Sequence, residues 1–237
     1  MADYNTASAS TALPTAADAQ RVTAFLQKVY GWMCAGLGVT AFVAFTVVGS
    51  PTIVRAIASN QLLFFGLFAA ELGLVFYLSA RAPKLAPGAA AGLFVLYSAL
   101  NGVTLSLVLL MYTGASVATT FVVTAGMFGA LALFGSTTSR SLAGAGHFFF
   151  MGLVGLVLAS VVGMFWHSEA LQFLISIIGV IVFTGLTAWD AQRLKQMAMA
   201  LPEGQSGSYA VVGALSLYLN FINLFLILLR FSGGRRS

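Results

Sequence analysis

The sequence predicts an all-α integral membrane protein, a bundle of seven membrane-spanning helices, and three observations predict it. Of its 237 residues, 59% are hydrophobic and only 7% are charged, against about 25% charged in soluble domains. A chain so poor in charge cannot cover a surface that faces water. The few charges stand at the ends of apolar runs. Those runs stay apolar over the roughly 20 residues that a helix needs to cross a bilayer. Strands of a membrane barrel would alternate over about 10 residues instead.

The elements follow in order. Residues 1–20, "MADYNTASASTALPTAADAQ", are rich in Ala, Ser and Thr and lack an apolar core. They read as a disordered polar tail. A cleaved signal peptide would need a basic start followed by an apolar stretch. Between Lys28 and Arg55 lie 26 uncharged residues, the first span. The second, about Gln61 to Ser79, has Glu71 near its centre and ends at Arg81, Pro83 and Lys84. From Leu85 to Ser139 there are 55 uncharged residues, too many for one helix, and "MYTGAS" (111–116) divides them into spans three and four. Span five covers about Leu142 to Trp166, and span six about Leu171 to Trp189, directly before Asp190. The polar segment "LPEGQSGS" (201–208) leads into span seven, about Tyr209 to Phe231. The membrane domain is therefore 21–231, followed by a basic tail, 232–237.

Orientation is read from basic residues near the span ends. Arg21, Lys28, Arg81, Lys84, Arg140, Arg193 and Lys195 fall on the side of the N-terminus, and Arg55, Arg230, Arg235 and Arg236 on the other. Seven against four predicts a cytoplasmic N-terminus. The basic tail argues the other way, and a re-entrant seventh helix would remove the conflict. The net charge of +5 is spread over helix ends, where it meets lipid headgroups, and implies no nucleic-acid partner. Cys34 is the one cysteine, which excludes an internal disulfide and a cysteine metal cluster; it reads as a packing residue.

Enzymatic chemistry finds no support. There is no Gly-x-Ser-x-Gly elbow. His147 and His167 lie near helix ends without metal-ligand spacing. Span seven has no lysine to anchor a retinal. An intramembrane aspartyl protease needs two carboxylates sharing a proton, and span seven offers an amide.

The informative residues are polar groups inside apolar runs, which are costly and read as functional by default or as glue between helices. Gly213, Ser216, Asn220 and Asn223 recur at spacings of three and four and so share one helix face. Tyr97, Asn101 and Thr104 repeat the pattern in span three, and Thr184 and Thr187 lead to Asp190 in span six. Glu71 is either a buried neutral acid bonded to a neighbouring helix or part of an ion path. Asp190 is either an interfacial acid or a functional one. Arg81 falls on the same membrane side as Asp190, so an ion pair is geometrically open.

Four segments, "ELGLVFYLSAR" (71–81), "YSALNGVTLSLVLLMYT" (97–113), "TAWDAQRLK" (187–195) and "LSLYLNFINLFLILLR" (215–230), resemble the transmembrane Bax inhibitor motif family in its bacterial branch. The resemblance covers the chain from span one to the C-terminus. It implies a seven-helix bundle with the last helix central, in a bacterial inner membrane, acting as a pH-sensitive calcium leak with calcium as the permeant or bound ion. Members can carry two aspartates, in the last two helices, latched with an arginine from helix two. Asp190 matches the first aspartate and Arg81 the arginine, while Asn220 stands where the second aspartate is expected. Asp190 is thereby also implied as a weak calcium site. The amide preserves the shape of the pair but cannot titrate. Glu71, Asn101, Ser216 and Asn223 are expected as pore-lining or packing groups, Asn223 as packing glue. No resident cofactor is implied. The alternative function is a non-conducting regulator of a membrane quality-control protease, and a proton-coupled transporter using Glu71 and Asp190 is a third.

Overall fold

The computed structural model describes residues 16–81, 84–166, 168–202 and 206–234. Residues 1–15, Pro83, His167, part of the 201–208 segment, and Arg235 and Arg236 lie outside the described residues. Among the described residues eight helices follow in order: α1 (Ala16–Val48), α2 (Pro51–Ser59), α3 (Gln61–Arg81), α4 (Pro87–Leu109), α5 (Gly114–Thr137), α6 (Ala143–Phe165), α7 (Glu169–Ala200) and α8 (Ser206–Ser232). All but α2 are long and apolar enough to cross a membrane.

Local chemistry sets the boundaries. Pro51 and Pro87 stand in the first turns of α2 and α4, where a missing N–H costs nothing. The side chain of Asn60 accepts a hydrogen bond from Leu63 N at 3.1 Å, starting α3. Thr113 and Ser168 do the same for α5 and α7, accepting from Ser116 N and Leu171 N at 3.3 Å each. These are side-chain caps of the donors that a helix start leaves unsatisfied.

Three sequence expectations are corrected. The loop after span one contains a separate short helix, α2, which carries Arg55 on a two-sided surface with Ile57 buried. Helix α1 begins at Ala16, inside the expected tail, because "AADAQRV" has the composition to continue the helix into water. Asp190 does not end span six. At 32 residues α7 is about 48 Å long, more than the roughly 30 Å hydrocarbon layer, and its last turns include Arg193, Lys195 and Gln196. Asp190 therefore sits ten residues inside the helix.

Helix α8 is the centre of the bundle. Inside the protein lies 61% of its most apolar window, against 11% for α3 and 6% for α6. It packs on α1, α4, α5 and α7, while α6 rests on α7 and α3 on α4. The resemblance implied this arrangement. Helix α8 is also continuous, and its end is tied down: Thr113 N donates to Gly234 O at 3.0 Å and Gly234 N to Ser116 Oγ at 2.8 Å. The α4–α5 turn lies at the end of the bundle opposite the start of α1. A re-entrant last helix is thereby excluded.

Two glycines let helices meet backbone to backbone. A Cβ on Gly102 of α4 would fall 2.7 Å from Thr40 O of α1, and one on Gly135 of α5 would collide with the carbonyl of Ala188 in α7.

Candidate functional site

Helices α7 and α8 meet along the stripe of Gly213, Ser216 and Asn220. Without a Cβ, Gly213 admits the side chain of Leu194. That close approach brings Asp190 within reach of α8. Its Oδ2 accepts hydrogen bonds from Ser216 Oγ at 2.7 Å and from Asn220 Nδ2 at 2.8 Å. Asp190 and Asn220 are each 6% exposed, so both bonds form out of water, where an unpaired polar group would be costly. Both fall on one carboxylate oxygen, leaving Oδ1 as the oxygen available to a proton or a cation. The Asn220 amide donates here, so its own oxygen is directed elsewhere.

The residues around Asp190 fix α7 in register. Ala188 takes the contact with Gly135, and Ala191 is fully buried. Arg193 lies 5.5 Å from the centre of the Trp189 ring, a cation–π arrangement, and it is the cation whose charge reaches Asp190. Gln192 clamps the α5–α6 connection: its Oε1 accepts from Leu142 N at 2.7 Å and its Nε2 donates to Arg140 O at 2.8 Å. Lys195 Nζ donates to Ser136 O at 2.8 Å. The "AWDAQRLK" segment is thus a packing surface, a carboxylate and a loop clamp in succession. Gln192→Ala leaves two backbone groups without these partners. Its expected cost is about 1–3 kcal/mol, read as a lower melting point in detergent and faster tryptic cutting after Arg140.

A second polar cluster lies on another face of α8. Tyr218, fully buried, is held edge-on by Phe94 and Tyr97, each 5.7 Å between ring centres. Its hydroxyl donates to Asn101 Oδ1 at 3.0 Å and lies 2.6 Å from Thr40 Oγ1. Glu71, 7% exposed, accepts from Thr104 Oγ1 at 2.7 Å. The cluster joins α3, α4, α8 and α1.

Asp190, Asn220 and Ser216 thus converge; separately, Asn101 meets Tyr218, and Glu71 meets Thr104, which lies three residues from Asn101 on α4. Arg81 reaches neither cluster. It is exposed at the end of α3, which packs on α4 and makes no substantial contact with α7. Asn223 is no interhelical tie, for its amide donates to Leu219 O of its own helix at 2.8 Å. Thr187 likewise donates to Phe183 O, one turn back. His147 is exposed, with Nδ1 2.9 Å from Ala143 O. Tyr218 and Thr40 were not singled out in the sequence; a lone tyrosine or threonine in an apolar run carries no periodic signal. Among the described residues, no three His, Cys, Asp or Glu side chains converge on one point.

These features define a polytopic helical membrane protein with a central last helix and a buried carboxylate held across its final two helices. Comparison with known proteins places it more closely. The chain belongs to the Bax inhibitor family: the family described as "Inhibitor of apoptosis-promoting Bax1" matches residues 22–237. It is similar to the "Inner membrane protein YbhL" of Escherichia coli K12, 50% identical over 215 residues that cover 90% of this chain and 92% of that protein. An uncharacterized protein of Borreliella burgdorferi is 45% identical over 90% of this chain and 93% of its own length. One from Deinococcus radiodurans is 42% identical over 91% and 92%.

Proposed function

We propose that the chain forms a calcium-permeable leak pathway in a bacterial inner membrane, with the Asp190–Asn220 contact between α7 and α8 as its latch. The observation that carries this reading is Asp190 itself, buried between the last two helices and bonded to both Ser216 and Asn220. An ionisable group inside a membrane helix marks an ion path by default. Asp190 Oδ1 stays outside these two bonds, and oxygen is the ligand atom that a hard cation prefers. One negative charge makes a weak hold, which suits passage better than storage. Because Asn220 cannot titrate, the pH response of the latch rests on Asp190 alone. Arg81 has no part in this latch.

The inner-membrane placement is supported by the description of the E. coli relative, and a cytoplasmic N-terminus by the distribution of Lys and Arg. The lipid bilayer is then the surrounding partner and calcium the cargo. The reading involves no catalytic step and no resident cofactor.

Purified protein in liposomes loaded with a calcium-sensitive dye tests it. Wild-type protein is expected to pass calcium unaided. Asp190→Asn is expected to lower that flux about tenfold or more, which corresponds to ~1.4 kcal/mol of lost cation attraction. A wild-type protein without flux overturns the channel reading and favours a regulator that acts through a protein partner, such as a membrane protease.

A further inference from the structure

On α1, Arg21, Ala24, Phe25 and Lys28 recur at spacings of three and four, which places them on one helix face. That face borders a cavity of about 200 Å³ where α1 meets the end of α7 and the start of α8. Ala198 and Leu201 at the end of α7 also line it, as does Ser206, the first residue of α8. Deeper in the bundle the three helices close on one another. The Gly213 position of α8 meets Leu194 of α7 and Val29 of α1, and Val29 is fully buried. The cavity thus sits at the end of a three-helix junction.

Its rim is basic and its wall apolar. Arg21 and Lys28 are exposed, while Phe25 and Ala198 are buried. Two turns of α1, about 10 Å, separate the two cations along the axis. Asp18 stands one turn before Arg21, outside the lining, and among the described residues no acid lines the cavity. The two helix ends offset each other, for the start of α8 favours an anion and the end of α7 a cation. The side chains of Arg21 and Lys28 therefore set its sign. Lys28 is also the last charge before the 26 uncharged residues of the first span. That position puts the cavity at the level where headgroups meet hydrocarbon.

We propose that this cavity binds the phosphate headgroup of an anionic phospholipid from the leaflet on the N-terminal side of the bundle. Basic pockets between membrane helices recognise such headgroups. Arg21 offers the planar fork that matches two phosphate oxygens, and Lys28 a point charge. The volume falls below the roughly 300–1,000 Å³ of a pocket for a drug-sized ligand. It suits a headgroup whose tails remain in the bilayer. Ala24, Phe25 and Leu201 give the glycerol end of those tails an apolar wall, which a free phosphate would not use. A lipid seated there touches α1, α7 and α8 at once and so stabilises their packing. The site involves neither Asp190 nor Asn220; it goes beyond the latch reading and does not depend on it.

Thermal melting of the whole protein in detergent tests the site, with short-chain phosphatidylglycerol as the added probe. The expected result is a saturable rise in melting temperature, as for any ligand that binds only the folded state. Phosphatidylcholine of equal chain length, whose choline cancels the phosphate charge, should give no such rise, nor should inorganic phosphate. Arg21→Gln and Lys28→Gln, each measured against its own lipid-free baseline, should raise the midpoint concentration about fivefold, and the double variant about thirtyfold. Both positions are exposed, so folding is expected to survive. Ala24→Phe, also at an exposed position, fills the cavity without changing charge and should abolish the rise. Arg140→Gln removes an equal charge outside the lining and should leave the midpoint in place. An equal rise with phosphatidylcholine overturns the site. So does a midpoint that the double variant leaves unmoved, or one that Arg140→Gln moves as far. Saturation by inorganic phosphate alone would make the ligand a soluble anion and overturn the lipid. Calcium flux is not part of the readout, so failure of the channel reading shows in the liposome assay and failure of this site shows here.

Discussion

Asn220→Asp is expected to add a titration step to calcium flux that the parent protein lacks, and to strengthen its hold on calcium at alkaline pH. The amide nitrogen of Asn220 now stands 2.8 Å from Asp190 Oδ2. A carboxylate in its place puts two acids against each other at positions that are each only 6% exposed. Two unit charges about 4 Å apart repel by roughly 4 kcal/mol even at an effective dielectric of 20. The pair therefore keeps one proton between its members and titrates as a unit. Ser216 is already committed to Asp190 and can screen only one of the two. Releasing the shared proton leaves two charges facing one another, which a divalent cation relieves. Calcium and protons then compete for the same oxygens, and flux gains a second proton-dependent step beside that of Asp190.

Asn220→Ala is the control. It removes one hydrogen bond from Asp190 without adding a charge, so flux is expected to change in size while its pH profile keeps the parent's shape. The measurement is dye-reported flux at a series of pH values for parent, Asn220→Asp and Asn220→Ala. Superimposable profiles for parent and Asn220→Asp would remove Asn220 from the latch.

The seven spans and the Asp190 contact were legible for different reasons. Bilayer thickness imposes a length on each apolar run, and that constraint acts on single segments; it needs no knowledge of neighbours. Gly213, Ser216 and Asn220 repeat at helical spacing, which places them on one face whatever that face meets; that Asn220 stands opposite Asp190 was implied by the family resemblance alone, and the bond from Ser216 to Asp190 was not foreseen. Arg81 shows where this stops. Its membrane depth follows from its place at the end of α3, but whether it meets Asp190 depends on which helices are neighbours. Helix α3 packs on α4 instead. Thr40 and Tyr218 are 178 residues apart, and each is isolated among apolar residues, so neither announces a partner. Asn223 misled for a local reason: an asparagine in a helix can satisfy its amide on the carbonyl four residues back, and nothing in its spacing separates that from an interhelical bond. Helix α2 was hidden because nine residues are too few to register against the long apolar runs on either side.

Gly135→Ala is expected to have the largest effect on stability, about 3 kcal/mol, at the upper end of what overpacking usually costs. The added methyl would collide with the backbone carbonyl of Ala188, which no rotamer change can move aside. Helices α5 and α7 must separate instead, and α7 carries Asp190 two residues further on. Gln192 holds the α5–α6 connection, and Lys195 the last turn of α5, to the same stretch of α7, so the displacement passes into the loop clamp as well. Helix propensity works in the opposite direction, since alanine is favoured over glycine in a helix by about 1 kcal/mol. Gly129 separates the two terms: it lies in the same helix, and a Cβ there meets nothing within 4 Å. Gly129→Ala is therefore expected to hold or raise the melting point in detergent, while Gly135→Ala lowers it and reduces calcium flux through the displaced Asp190. Equal melting points for the two variants would mean that α5 and α7 do not touch at Gly135, and the register that sets Asp190 against Ser216 and Asn220 would then lose its support from α5.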